Sequence, residues 1–384
     1  MRIDAVDVLV FELGLAPVEG ALGVFDRRPL VVVRVMTADG DGWGECGALE
    51  RAAGGDPAAS TVEHLLETVG IPRMVSVAQA RDGTLDSSAV PQLFGGHAAE
   101  RMMAATLEMA LLDAELRALG VSLGEWLGVA RPEVAVGALA GIPTDREVDS
   151  LLASVGAAAD AGSRRVRVKI APGWDLVPLR AVRRHFPDLA LQADANGAYR
   201  LGPKTGPMER PDDARRLVAL DDLALTCIEQ PLPAADLAAH VELRELIETP
   251  IALDESLASP RHVELALRYG ACEVACLKPA RLGGLRAARR AHDLCASAGV
   301  AAFVGGYFEA GLARGANAAL AGLPGFTLPG DLSAPASYLS VDPFGYPPVV
   351  DGLVALRTEP GVGPAPDPER LAACTVRTRR FEAR

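Results

Sequence analysis

The sequence predicts an α/β protein, a (β/α)8-type barrel with an α+β capping domain, and two observations lead to this prediction. Five short apolar runs each end in a single charged residue, in the order Lys169, Asp194, Glu229, Asp254 and Lys278. Successive charges are 25, 35, 25 and 24 residues apart, about the length of a strand, a helix and two loops in a parallel βαβ ladder. The first 130 residues lack this repeat and show strands followed by helices.

Local patterns define the N-terminal elements. The run 30–35 is rich in valine, as is typical of a strand, and the Asp-Gly repeat at 39–42 is a hairpin signal. Apolar residues recur at helical spacing over 101–119, which predicts a helix. We expect residues 1–130 to form the capping domain.

The alternation from about residue 134 predicts eight strands, enough to close a small barrel. These strands are predicted at 134–141, 165–170, 189–194, 224–229, 250–254, 273–278, 301–305 and 325–329. Helices are predicted between them, among others over 175–184, 261–269 and 285–298. We expect the barrel to span 131–342, with an irregular insertion marked by Pro203, Gly206, Pro207 and Pro211. The tail, 343–384, is expected to pack back on the capping domain.

Composition restricts the class of protein. The chain has 384 residues, 49% of them hydrophobic, and a net charge of −12, which argues against nucleic acid and anionic membranes as partners. No apolar run approaches 18 residues, and the N-terminus has no signal-peptide core, so we expect a cytoplasmic protein. The six cysteines form no C-x-x-C pair, and we expect them to fill space.

The five strand-end charges predict an active site, because the carboxyl ends of barrel strands meet at one mouth. Asp194, Glu229 and Asp254 supply the oxygen ligands that suit Mg²⁺, with Mn²⁺ or another divalent cation as a substitute. Lys169 and Lys278 lie on the second and sixth strands, across the barrel from each other. A cation and a neighbouring positive charge are expected to lower the pKa of such lysines.

The neighbouring charge is expected from Arg167, which strand alternation aims to the same side as Lys169. A metal between two amines suits the removal of a proton alpha to a carboxylate, through an enediolate that the metal stabilises. The opposite lysine then returns a proton to the other face, or stays charged while a leaving group departs. The substrate is therefore expected to be a small carboxylate.

The chain resembles the enolase superfamily, and within it the muconate-lactonizing subgroup and the o-succinylbenzoate synthase / N-acylamino acid racemase family. The resemblance covers nearly the whole chain. It is carried by segments 169–175 (KIAPGWD), 194–199 (DANGAY), 228–232 (IEQPL), 253–256 (LDES), 278–284 (KPARLGG), 327–331 (TLPGD), 107–110 (LEMA) and 42–46 (GWGEC). A histidine at the end of strand seven, typical of the mandelate racemase subgroup, is absent from 304–306 (VGG).

The resemblance implies that Lys169 and Lys278 are the acid/base pair and that Asp194, Glu229 and Asp254 hold Mg²⁺. It also implies supporting roles for Arg167, Asn196 and Glu255. Two alternatives stay open here: Asn196 could instead cap the next helix, and strand alternation aims Glu255 away from the side of Asp254. Related barrels are commonly multimeric, so we expect a homo-oligomer.

The chain departs from the family pattern in the residues expected to bind the substrate. Glu19 stands in the first capping loop, where the family has a cation that could face an anionic acyl tail, and Leu139 replaces a serine near the end of strand one. Gly306, Tyr307 and Phe308 form the strand-seven loop, which could wall an acyl chain. The second capping loop, 48–57, lacks the tyrosines usual in the family.

Three functional hypotheses follow. The first is an N-acylamino acid racemase, such as an N-succinylamino acid racemase, which needs both lysines. The second is an o-succinylbenzoate synthase, a dehydration in menaquinone biosynthesis that uses the same residues. The third is a non-catalytic barrel that binds a small acid, and the intact set of five charged residues argues against it.

Overall fold

The N-terminal part of the chain is an antiparallel sheet covered by helices, in a computed structural model that describes residues 1–201 and 212–383. Strand β2 pairs with both β1 and β3. The insertion predicted around 203–211 lies outside the described residues. The elements are β1 (Ile3–Gly20), β2 (Gly23–Thr37), β3 (Gly40–Glu45), α1 (Ala59–Leu65), α2 (Ile71–Gln79), α3 (Ala98–Leu119) and α4 (Leu123–Leu127).

Helix α3 lies directly against strand β3 because two glycines leave room for it. A Cβ atom added to Gly42 would stand 2.1 Å from the carbonyl oxygen of Ala110, and one added to Gly44 would stand 2.1 Å from that of Thr106. Any side chain at either position would push the helix away. The Gly-Trp-Gly-Glu segment therefore places the end of β3 and the middle of α3 side by side.

The barrel follows as eight parallel strands with helices between them. Its first half contains β4 (Glu133–Ala140), α5 (Val148–Asp160), β5 (Arg165–Lys169), α6 (Leu176–His185), β6 (Leu191–Asp194), α7 (Asp212–Val218) and β7 (Ile228–Glu229). Its second half contains α8 (Leu237–Arg244), β8 (Ile251–Leu253), α9 (Pro260–Tyr269), β9 (Val274–Leu277), α10 (Pro279–Leu282), α11 (Leu285–Ser297), β10 (Ala301–Val304), α12 (Gly311–Ala321) and β11 (Gly330–Asp331).

The predicted fold class is confirmed, and the first seven predicted barrel strands overlap those found. The eighth prediction, 325–329, is wrong. The last strand is β11, which pairs in parallel with β4 at Gly330 and Asp331, whereas the segment 325–329 makes a single bridge to β10, between Phe326 and Ala302. Pro329 explains the displacement, because proline has no N–H to donate to a ladder.

The tail contributes to both parts of the molecule. Its elements are β12 (Val349–Val350), β13 (Leu353–Ala355), α13 (Pro368–Cys374) and β14 (Thr375–Glu382). Strand β13 pairs antiparallel with β4 of the barrel, and β14 pairs antiparallel with β1 of the capping sheet. No helix in the described part of the chain has both the length and the apolar character to cross a membrane.

Two buried glutamates join the capping elements to the barrel. Glu45, at the end of β3, accepts hydrogen bonds from the backbone N–H groups of Ala310 and Ala313 at 2.8 and 2.9 Å, at the start of α12. Glu108 of α3 accepts from those of Leu285 and Arg286 at 2.7 and 3.3 Å, at the start of α11. The first N–H groups of a helix have no partner within it, and negative charge is favourable there.

Burial raises the pKa of Glu45 to about 8, although its backbone hydrogen bonds and Arg28 act in the opposite direction. Burial likewise raises the pKa of Glu108 to about 7. A carboxyl group with a raised pKa in the folded state keeps a proton that the unfolded chain has lost. Unfolding is then favoured more strongly as the pH rises between the two pKa values.

We predict that Glu45→Gln makes the stability of the protein less dependent on pH. Between about pH 4.5 and pH 8, Glu45 lowers the free energy of unfolding by about 1.4 kcal/mol per pH unit in the wild type. Glutamine does not titrate, but it loses one of the two acceptor oxygens. The variant should therefore be less stable than wild type at pH 5, with the difference narrowing towards pH 8.

The measurement is urea unfolding of both proteins at pH 5, 6, 7 and 8. Glu133→Gln, at an exposed position of β4, is the control, and its free energy of unfolding should change with pH as that of the wild type does. If the free energy of unfolding of Glu45→Gln changed with pH as that of the wild type does, Glu45 would not titrate in this range.

Candidate active site

The five predicted charges lie together at the carboxyl ends of the barrel strands. Lys169, Asp194 and Glu229 end β5, β6 and β7 and face each other in register, while Asp254 and Lys278 directly follow β8 and β9. The Nζ atom of Lys169 lies 2.6 Å from Oδ2 of Asp194, and that of Lys278 lies 2.8 Å from Oδ2 of Asp254. The two lysines therefore stand at opposite ends of a row of carboxylates.

Arg167 holds the middle of this row. Its Nη1 atom donates to both oxygens of Glu229, at 2.8 and 2.9 Å, and lies 3.3 Å from Asp194. Its Nη2 atom lies 2.6 Å from Asp331. Burial would lower the pKa of Arg167, but the charges of Asp331, Glu229 and Asp194 outweigh burial and raise it well above the usual value. Arg167, which was expected to supply a positive charge beside Lys169, thus pairs with the carboxylates of the row and of Asp331.

Three members of this network were missed at the sequence level. Asp331 ends the last strand, β11, and binds both Arg167 and the fully buried Arg165, the latter at 2.7 Å. Gln192 of β6 donates to Glu229. Strand alternation was the signal for Arg165, two residues before Arg167. Asp331 repeats the pattern of an acid at a strand end, but the last strand was predicted too early.

The electrostatics of the row differ from residue to residue. Burial raises the pKa of Glu229 to about 8. The charge of Arg167 lowers this pKa, while the charges of Asp194 and Asp254 raise it further. Burial also opposes ionisation of Asp254, but Arg281 and Lys278 outweigh it and hold its pKa below the usual range.

The protein's own groups shift the pKa of Lys278 in opposite directions. Burial is the largest single influence and lowers its pKa, but the charges of Asp254, Cys276 and Glu255 together raise it above the ordinary value for lysine. The expected lowering depends on a bound cation and stays a prediction. Among the groups that raise the pKa, the Asp254 carboxylate has the largest effect, and Arg281 acts with burial in the opposite direction.

Asn196 and Glu255 connect to the row through Lys169. The amide oxygen of Asn196 accepts from Lys169 Nζ at 2.7 Å, and its amide nitrogen donates to Glu255 Oε1 at 2.8 Å. The other oxygen of Glu255 is buried and has no hydrogen-bond partner among the described residues. Burial and the charge of Asp254 raise the pKa of Glu255 to about 7. Asn196 thus contacts a site residue directly.

A cavity of about 440 Å³ opens above the row and is closed by two loops from the capping elements. The first is the turn between β1 and β2, where a Cβ atom on Gly20 would lie 3.4 Å from the side chain of Lys169. The second is the loop 51–57, in which Asp56 pairs with Arg281 and accepts from the hydroxyl of Tyr307 at 2.6 Å. Arg281 also pairs with Asp254, so the second loop is tied to the row of carboxylates.

Four of the five predicted substrate-binding residues line this cavity: Leu139, Gly306, Tyr307 and Phe308. The Tyr307 ring packs 4.7 Å from Lys278 Nζ, and the Phe308 ring packs edge-on against Tyr338. Glu19 does not line the cavity, because its carboxylate pairs with Arg146. Both catalytic candidates, Lys169 and Lys278, also line it.

The donor set fits a hard divalent cation. Glu229 and Asp254 carry ligand oxygens that lie within 4.8 Å of each other and of the Cys276 sulfur, and Asp194 is joined to Glu229 through Arg167. Burial raises the pKa of the Cys276 thiol well above its usual value, so it stays protonated and is a poor ligand. Fully buried carboxylates of like charge, one with a raised pKa, are the setting that a bound cation relieves.

Comparison with known proteins places the chain in a family. Residues 5–128 match the N-terminal domain of the mandelate racemase / muconate lactonizing enzyme family, and residues 150–370 match the enolase C-terminal domain-like family. An N-succinylamino acid racemase from Amycolatopsis sp. is 40% identical over 98% of both chains. An o-succinylbenzoate synthase from Geobacillus kaustophilus is 39% identical over 91% of this chain and 89% of its own.

A solved structure agrees with these relatives. An enolase superfamily member from Listeria innocua superposes with a TM-score of 0.89 at 28% identity, and the match covers 100% of both chains. The chain therefore belongs to the enolase superfamily, within the o-succinylbenzoate synthase / N-succinylamino acid racemase family.

Proposed function

We propose that this enzyme racemises N-succinylamino acids by moving the proton alpha to the carboxylate. The observation that carries the proposal is the placement of two lysines. Lys169 and Lys278 line one cavity from opposite ends of the carboxylate row, and each is paired with a different carboxylate. An α-carbon between them is open to a basic group on either face, as inversion requires. The relative that is 40% identical carries this activity in its name.

The reaction needs one lysine neutral and the other protonated. The neutral lysine takes the α-proton, and the protonated one delivers a proton to the opposite face, so that each enantiomer uses the pair in the opposite order. Asn196 holds Lys169 through a direct hydrogen bond and is itself held by Glu255. We assign both a supporting role in aiming that lysine.

We further propose that Asp194, Glu229 and Asp254 hold a divalent cation, Mg²⁺ by its preference for hard oxygen ligands, with Mn²⁺ as a substitute. When bound, the cation supplies a positive charge for the substrate carboxylate and for the negative charge that develops as the proton leaves. Arg167 supports the same carboxylates from the protein side.

The walls of the cavity support a substrate with an apolar part beside its carboxylate. Leu139, Tyr307 and Phe308 give it apolar surface, and Gly306 lines it where Arg314 packs against the backbone. Glu19 faces Arg146 and is left out of this assignment. We also propose that the enzyme is cytoplasmic, which rests on composition, and that it forms a homo-oligomer, which rests on the family resemblance.

A second candidate is the dehydration that produces o-succinylbenzoate. The relative with that name is almost as similar as the racemase, at 39% identity. The same cavity and residues serve it, with one lysine as base and the other kept charged while the leaving group departs. Its difference from racemisation is that only one lysine exchanges a proton with the substrate.

The deciding experiment is α-proton exchange in D₂O, followed by NMR, over a panel of N-succinyl and N-acetyl amino acids with Mg²⁺. We expect exchange and loss of optical rotation with the N-succinyl compounds. Dehydration of the hydroxy-acid precursor of o-succinylbenzoate is measured beside it. Dehydration without any exchange on the panel would reject the racemase in favour of the second candidate.

We predict that Lys169→Arg and Lys278→Arg each lower racemisation by about 10²–10⁴-fold, because arginine keeps the charge but does not release its proton. The measurement is the rate of racemisation from each enantiomer. Arg261→Ala, at an exposed position of α9, is the control and should keep the wild-type rate. A rate within threefold of wild type in either lysine variant would contradict the two-base scheme.

We predict that Mg²⁺ raises the thermal unfolding midpoint of the wild type, because a ligand that binds only the folded state stabilises it. Glu229→Gln should lose this response, since the variant lacks one charged ligand of the ion. Glu273→Gln removes an acid that pairs with Arg244 instead and should respond as the wild type does. An undiminished increment in Glu229→Gln would mean that the ion binds elsewhere.

A further inference from the structure

One basic side chain of the cavity differs from the others in its partners. The cavity is lined by the basic residues Arg51, Arg167, Lys169, Lys278, Arg281 and Arg314. Five of them form ion pairs with carboxylates: Arg167, Lys169, Lys278, Arg281 and Arg314. Over residues 1–201 and 212–383, Arg51 forms no ion pair.

Arg51 is nevertheless held in place. Its Nη1 and Nη2 atoms donate to the carbonyl oxygens of Val24 and Leu22, at 2.6 and 3.1 Å. Its guanidinium lies 4.0 Å over the ring of Phe25, which also lines the cavity. A guanidinium has five N–H donors, so three are left without a partner in the described chain. The positive charge is therefore positioned at the cavity by contacts that do not neutralise it.

We infer that Arg51 is a specificity-determining residue that binds a second carboxylate of the substrate, at the far end of its acyl group. The inference rests on the proposed function, in which Lys169 and Lys278 flank the α-carbon beside the first carboxylate. Arg51 belongs to the second capping loop and contacts the first, so it stands where the cap closes over the acyl group. A planar guanidinium with free N–H groups suits a carboxylate, which it can bind through two parallel hydrogen bonds.

The acidic groups around the cavity do not oppose this assignment. Asp56 and Asp331 line it but are paired with Arg281 and with Arg165 and Arg167. Glu255 also lines it and forms no ion pair, and its Oε1 atom accepts from the amide nitrogen of Asn196. Glu19, which stands where the family has a cation that could face an anionic acyl tail, pairs with Arg146 and does not line the cavity. An anionic acyl end next to Arg51 therefore meets an unpaired positive charge, while Glu255, the lining carboxyl group without an ion pair among the described residues, is hydrogen-bonded to Asn196.

The test compares two ligands that differ only in the charge at that end. N-succinylglycine ends in a carboxylate, and N-succinamylglycine, its terminal amide, has nearly the same shape without the charge. Dissociation constants for both are measured by calorimetry with the Mg²⁺-loaded enzyme. We expect the wild type to bind N-succinylglycine about 10- to 100-fold more tightly, the range of a charged hydrogen-bonded pair.

Arg51→Met should abolish this preference by weakening only the binding of N-succinylglycine. Arg51→Lys keeps the charge without the planar fork and should keep part of the preference. Arg27→Met is the matched control, since Arg27 lies on β2, is exposed, pairs with Glu12 at 3.1 Å and with Glu50 at 3.8 Å, and does not line the cavity. It should leave both dissociation constants unchanged.

The ratio of the two constants separates recognition from a loosened loop. If Arg51→Met weakens both ligands equally, Arg51 only holds the loop and the inference is overturned. It is also overturned if the wild type shows no preference. Because binding is measured, the result stands even where the exchange panel rejects the proposed racemisation, so the two proposals fail independently.

Discussion

The compensation of buried negative charge at the barrel mouth is the constraint on which the rest of the structure depends. Parallel strands bring Asp194, Glu229 and Asp254 to one level, where they are almost wholly removed from solvent. Unpaired charges in such surroundings would be strongly destabilising. Two arginines form ion pairs that compensate this charge. Arg167 pairs with Glu229 within the barrel, and Arg281 pairs with both Asp254 and Asp56 of the capping loop. The same arrangement that makes the site suitable for a cation therefore also sets which loops can close over it.

The attachment of the cap follows a related rule. Glu45 and Glu108 are carboxylates that burial penalises, yet each satisfies two backbone N–H groups at the start of a barrel helix. Those N–H groups have no partner within their own helices, so removal of either glutamate would leave buried donors without acceptors. The cap is thus joined to the barrel by groups that neither part satisfies alone. This fixes β3 and α3, and through the sheet it fixes the β1–β2 turn that reaches Lys169.

The sequence predicts features that depend on one short segment, and it does not predict contacts between distant segments. Lys169, Asp194, Glu229, Asp254 and Lys278 could be found because a charge at the end of an apolar run depends only on the strand that carries it. Asp331 also stands at a strand end, but it was not predicted because the last strand begins after Pro329, later than the predicted range. The Asp56–Arg281 pair joins residues 225 positions apart, so no local pattern predicts it. The pKa of Lys278 depends on a distance of 2.8 Å to Asp254, and its direction could not be obtained from residue types alone.

The choice between lysine and arginine along the chain supports this division of roles. Of its 38 basic residues only three are lysines, Lys169, Lys204 and Lys278, and Lys204 lies outside the described residues. Where the barrel mouth needs charge and multiple hydrogen bonds, the chain has arginine, as at Arg167, which donates to both oxygens of Glu229. Arginine meets that need better than lysine, but it does not give up a proton at any pH at which the protein works. In the proposed mechanism the two described lysines stand where charge alone is insufficient, and Arg167 is a counter-charge that takes no part in proton transfer.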